Sequence, residues 1–199
     1  NLVINGAMQV AQRGTSSTGL GASSGYFTID RINPNFSGTS AGRLTMTQET
    51  ITDLAGFTKC LKLDCTTADT SISAGEYILL NMQAIEGQNL QHIAKGTSLA
   101  KKLTLSFYVK ANAAATYVCE LQDSNSRKIN KSFSVTTDWT RVVTTFDADT
   151  DSGGTIVNSN AKGLDVLFWL HAGSNFNSGS AGDLNTSWGS PSITQEPQE

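Results

Sequence analysis

The stretch Leu103-Thr104-Leu105-Ser106-Phe107-Tyr108-Val109-Lys110 puts an apolar side chain at every odd position and a more polar one at most positions between. Side chains of an extended chain point alternately to opposite faces, so this pattern predicts a strand half-buried against a core. Working outward, Thr116 to Gln122 reads as the next strand. It is followed by the polar turn Asp123-Ser124-Asn125-Ser126-Arg127, whose residue types bond their own backbone, and by a hairpin partner over Lys128 to Val135. Trp139 to Phe146 is a β-branched run. Leu164-Asp165-Val166-Leu167-Phe168-Trp169-Leu170-His171 is the most apolar segment and predicts a central strand. Arg43 to Thr50, Phe57 to Cys65 and Glu76 to Ala84 complete the set.

One short helix is expected over Gln88 to Lys95, with Leu90, Ile93 and Ala94 at helical spacing and Gly96 as its stop. Gly-, Ser- and Asn-rich loops separate the strands, at Gly14 to Gly25, Ser37 to Gly42, Asp147 to Asn160 and Gly173 to Gly182. Short strands divided by regular turn signals make an all-β protein, a β-sandwich. Two four-stranded sheets would make it a jelly roll with one short helix. No repeat or linker divides the chain, so one domain over residues 1–199 is expected, with 1–25 open to reading as an extended N-terminal arm.

The bulk numbers narrow the function. A length of 199 residues suffices for a sizeable core. Ser and Thr fill about a quarter of the chain, above ordinary usage, while charged residues are 16%. A net charge of -3 with scattered basic residues offers no footprint for duplex nucleic acid. No run of eighteen apolar residues predicts a membrane-inserted helix, and the opening Asn1-Leu2-Val3-Ile4-Asn5 has no signal-peptide pattern. The missing first Met implies processing or a longer parent chain. Cys60 and Cys65 lie an odd number apart, so a local bridge is disfavoured. A bridge from Cys119 to either stays open beside three reduced thiols.

Several segments are similar to phage tail-fibre and related virion appendage domains. They are Asn5-Gly-Ala-Met-Gln-Val-Ala-Gln-Arg-Gly-Thr15, Gly25-Tyr-Phe-Thr-Ile-Asp-Arg31, Ile85-Glu-Gly87, Gly96-Thr-Ser98 and Leu103 to Lys110. Later ones are Phe168-Trp-Leu170, Ala172-Gly-Ser174 and Leu184-Asn-Thr-Ser-Trp188. That family resembles carbohydrate-binding jelly rolls. The resemblance implies a non-enzymatic protein located in the virion, in a tail or other external appendage. It implies a homotrimer that contacts other virion proteins and a host surface glycan or outer-membrane protein. The family usually has an aromatic where this chain has Ile32, and a further strand where it ends Ser192-Ile-Thr-Gln-Glu-Pro-Gln-Glu199. A purely structural virion module (capsid decoration, baseplate or fibre attachment) is the alternative, and a polysaccharide depolymerase a weaker one.

Sugar binding needs an aromatic face with polar groups at its rim. Trp169 is the first candidate, sharing a strand face with Asp165 and His171, unless both faces of that strand are covered and the ring is simply packed. Trp188, Tyr26 and Tyr108 carry the same ambiguity. For a cofactor, Asp147-Ala-Asp149-Thr-Asp151-Ser-Gly-Gly154 has alternating carboxylates that can wrap a hard cation such as calcium, or form an ordinary polar turn. No other cofactor is expected. The two histidines, His92 and His171, come with no nucleophile elbow, and no phosphate loop or dinucleotide fingerprint is present.

Overall fold

The computed structural model describes residues 1–39, 41–176 and 187–189. Among them the chain forms ten strands: β1 (Ser16–Leu20), β2 (Asn33–Ser37), β3 (Arg43–Thr50), β4 (Lys59–Thr67), β5 (Tyr77–Glu86), β6 (Leu103–Val109), β7 (Ala115–Asp123), β8 (Lys128–Val135), β9 (Thr140–Phe146) and β10 (Lys162–Ala172). Residues 184–186 of the late motif, most of the Gly173 to Gly182 loop and the Ser192 to Glu199 end lie outside the described residues.

The strands assemble into a five-stranded sheet, β2-β5-β10-β7-β8, and two smaller ones, β1-β3-β4 and β6-β9, with all neighbours antiparallel. Side chains decide how these stack. Leu103, Leu105 and Phe107 of β6 and Val142 of β9 pack with Leu121, Ile129, Phe133 and Val166 of the large sheet. Leu44 and Met46 of β3 with Leu61 and Leu63 of β4 pack against Leu80, Ile78 and Leu170. Met82 and Phe168 belong to both clusters, so the hydrophobic interior runs without a break beneath the large sheet. The protein is thus an all-β sandwich, as expected, with a five-stranded sheet facing a three-stranded and a two-stranded one.

Phe107, Phe133 and Phe168 meet edge-to-face, at centroid separations of 4.9–5.7 Å, and pin β6 across the layers to β8 and β10. Such pairs add about 0.5–1.5 kcal/mol each beyond the burial of their surface. β10 is the axis of the large sheet, and the core side of its alternation is Leu164, Val166, Phe168 and Leu170, as expected.

The eight sequence-derived strands all appear. The two extra strands, β1 and β2, carry Ser, Thr, Asn and Pro in sequences without an apolar alternation. They form because β3 and β5 supply their hydrogen-bond partners. The expected helix is a 3₁₀ helix, Gly87–Ile93, burying Leu90 and Ile93. It ends through Ala94 in the left-handed region (φ 50°) and Gly96 (φ 83°). A side chain on Gly96 would stand 2.5 Å from Thr155, so only glycine fits this stop.

The N-terminal segment does not stand off as an arm. Leu2 packs on one core cluster and Met8 on the other, and Ile4 donates its amide to Gln83. All three cysteines are free thiols: Cys65 is exposed, Cys60 half-buried and Cys119 buried.

Candidate ligand-binding site

Trp169, Asp165 and His171 do share the outer face of β10, but that face is closed. Trp169 is only 5% exposed, packed edge-on by Tyr77 of β5 and against Phe176, at centroid separations of 5.8 and 5.7 Å. Its indole N–H donates to Glu120 of β7 (3.3 Å), which also accepts from Asn130 of β8 (2.7 Å). Burial pushes the Glu120 carboxyl up, against the opposing pull of Lys128, Asn130 and Trp169. Asp165 is buried between Asn81 (2.9 Å) and Lys162 (2.6 Å). His171 stands 3.9 Å from Glu76, whose other carboxylate oxygen accepts from Ser73. The ring expected to be a sugar platform therefore presents no open face. It is a rivet between strands, because the aromatic side chains that cover it come from β5 and from the chain beyond β10.

Trp188 lies elsewhere. Its indole N–H donates to the Asp147 carbonyl (2.7 Å), and its ring covers the Lys95 ammonium at 4.0 Å. That ammonium is the centre of a buried charge cluster. It contacts Asp123, Asp149 (2.8 Å) and the Gly154 carbonyl (3.2 Å). Arg127 grips Asp149 through two parallel bonds of 2.9 Å, the bidentate geometry that suits guanidinium and carboxylate.

The alternating carboxylates of the acidic loop are therefore split between cations of the chain itself. Asp147 pairs with Lys102 at the surface (2.7 Å), Asp149 with Lys95 and Arg127, and Asp151 with Arg127 (3.6 Å) while it caps the Gly153 amide (2.8 Å). Burial pulls the Asp149 carboxyl up, but Arg127 and Lys95 outweigh it and hold it below the usual carboxylate range. Among the described residues no group of three or more His, Cys, Asp or Glu side chains converges as a metal site. The cations that Asp149 meets are the chain's own Lys95 and Arg127.

Tyr26 belongs to a different place, and it is open. The segment from Asn5 and the segment ending at Arg31 are laced together by one side chain. Asn5, itself left-handed (φ 58°), donates to the carbonyls of Val10 (2.8 Å) and Asp30 (3.2 Å) and accepts from the Val10 amide (3.0 Å). Asp30 completes the seam: its amide donates to the Val10 carbonyl (3.0 Å) and its carboxylate accepts the Gln12 amide (3.0 Å). Ile29 and Ile32, buried on either side, anchor the loop to the core.

This seam frames a solvent-open cavity of about 260 Å³ lined by Gln12, Arg13, Tyr26, Asp30 and Arg31. Tyr26 is 45% exposed, with the Arg13 guanidinium 5.5 Å from its ring centroid. Arg13 lies 3.9 Å from Asp30, a loose pair. Arg31 is exposed, and among the described residues no ion-pair partner meets it. Its backbone is left-handed (φ 78°), a conformation that costs a non-glycine residue about 1–3 kcal/mol. The pocket thus offers what recognition of a polar ligand needs: a partly open ring, two guanidiniums, a carboxylate and an amide.

Of the five residues expected to form a sugar platform, three share a closed face, one seals the Lys95 cluster and one, Tyr26, lines this pocket. Sequence reasoning did not assign Gln12, Arg13, Asp30 or Arg31 to a site. Their signal was present in the Gln12-Arg13-Gly14 and Asp30-Arg31 steps of the two opening motifs, which only the fold brings together. No protein-family model, curated protein or solved structure matches this chain.

Proposed function

We propose that this chain is a non-enzymatic domain of a phage virion appendage, a tail fibre or receptor-binding part that touches the host surface, and that the pocket around Tyr26 is its contact site. The observation that carries the reading is the convergence of the two opening motifs, the ones similar to virion appendage domains, on one solvent-open pocket. At this seam Tyr26 is left 45% exposed beside an exposed Arg31 that makes no ion pair among the described residues. The Ser- and Thr-rich, weakly charged composition suits an exposed adhesive surface.

A shallow pocket binds weakly by itself. Repetition of the site around a homotrimer, and along many fibres, converts weak contacts into avidity without any new interaction. The partners on this reading are further copies of the chain, other virion proteins, and a host glycan or outer-membrane protein.

The test is adsorption of fluorescently labelled oligomer to host cells and to a glycan array, with Tyr26→Ala and Trp169→Ala in parallel. Tyr26→Ala is expected to lose binding at unchanged melting temperature. Trp169→Ala is expected to lose melting temperature instead, since its ring is packed. A well-folded oligomer that binds neither cells nor glycans would shift the assignment to a purely structural virion module. Loss of polysaccharide viscosity on incubation would replace both readings with a depolymerase.

A further inference from the structure

Resting on that reading, we infer that the Tyr26 pocket selects an acidic sugar, one bearing a carboxylate or a phosphate, with Arg31 as the residue that reads its charge. The pocket holds two guanidiniums and one carboxylate. Asp30 does not cancel both cations. One of its oxygens accepts the Gln12 amide, and its approach to Arg13 is loose at 3.9 Å. Arg31 is exposed, lines the pocket and makes no ion pair among the described residues. A guanidinium is the side chain whose planar fork matches a carboxylate or phosphate through two parallel bonds. Beside it, the half-exposed Tyr26 ring can stack on the C–H face of a pyranose.

Size and shape restrict the ligand further. The cavity, about 260 Å³ and open, lies below the roughly 300–1,000 Å³ of pockets that enclose a drug-sized ligand. It suits one sugar residue, the end or a branch of a surface polymer. The backbone argument is independent of both. At φ 78° glycine is the relaxed choice, yet position 31 carries a long cationic side chain that makes no ion pair among the described residues. A strained position that keeps a long cationic side chain without an ion pair points to a use for that side chain. Arg31→Gly should therefore relax the fold and abolish the selectivity together, a combination that a structural arginine would not produce.

The experiment measures binding of the intact oligomer to beads carrying, in separate arms, glucuronic acid, glucose 6-phosphate and neutral glucose. Each is read at low and at physiological salt, with host-cell adsorption as a parallel readout. The expected result is at least tenfold tighter binding to one or both acidic sugars than to glucose. That preference should shrink as salt rises and be lost in Arg31→Gly, whose melting temperature equals or exceeds that of the parent. The arm that binds identifies carboxylate or phosphate as the source of the charge. Equal binding to all three sugars, or selectivity that survives Arg31→Gly, overturns the inference while leaving host-surface contact standing. Host-cell adsorption without binding to any acidic bead also overturns it. Absence of host-cell adsorption overturns the reading on which it rests.

Discussion

Replacing Lys95 with Met keeps the length and apolar stem of the side chain but removes the ammonium from a site that is 3% exposed. The consequences fall unequally on its partners. Asp149 keeps the two bonds from Arg127. Asp123 keeps the Asn125 and Arg127 amides on one carboxylate oxygen, but its other oxygen loses Lys95, and that side chain is fully buried. Removing one member of a buried ion pair costs about 3–5 kcal/mol, because an uncompensated charge stays behind. The surviving partners place this variant near the lower end, about 3 kcal/mol. For a chain of 199 residues that lowers the melting temperature by roughly 6–12 °C. Urea unfolding at pH 7 should show a lower midpoint with an unchanged slope. Neutralising the orphaned oxygen in Lys95→Met/Asp123→Asn should recover about 1 kcal/mol or more of the loss relative to the sum of the single variants. A Lys95→Met chain within about 0.5 kcal/mol of the parent, at the level of an ordinary surface substitution, would refute the claim that these charges are desolvated and mutually dependent.

The same cluster sets a pH dependence. Asp149 is held below its ordinary pKa, so the unfolded chain binds more protons than the folded one as pH falls. Its contribution is present in full above about pH 5 and drains away as pH drops through the folded value. The stability gap between parent and Asp149→Asn should therefore narrow on going from pH 5 to pH 2.5, and a gap that widens would contradict the assignment. Thiol labelling should be ordered by burial: Cys65 reacts with iodoacetamide in the native protein, whereas Cys119, pushed up to about 12 by desolvation, stays unlabelled until urea is added. Equal labelling rates for the two would show that β7 is not buried as described. Adding millimolar calcium, or removing it with chelator, should leave the melting temperature unchanged, because Lys95 and Arg127 already occupy Asp149. A rise of several degrees with calcium would mean that the acidic loop binds the ion after all.

The all-β class, the eight longer strands, the turn at Asp123–Arg127 and the core side of β10 could all be read from the amino-acid order. Each depends on a period of two or on a residue bonding its own backbone, and both are local properties of the chain. What depended on distant partners could not be read in this way. β1 and β2 are strands because β3 and β5 offer them edges, and their own side chains announce nothing. Trp169 is packed because Tyr77 reaches it across the sheet and Phe176 from beyond β10. Asp149 is an ion-pair partner because residues 95 and 127 arrive beside it. The Tyr26 pocket exists because Asn5 ties Val10 to Asp30, drawing Gln12 and Arg13 up to Arg31. Alternation along a strand says which side chains share a face. Whether that face is open, covered or charged is decided by whatever the fold lays against it, since burial and electrostatics depend on distances in space that sequence spacing does not encode.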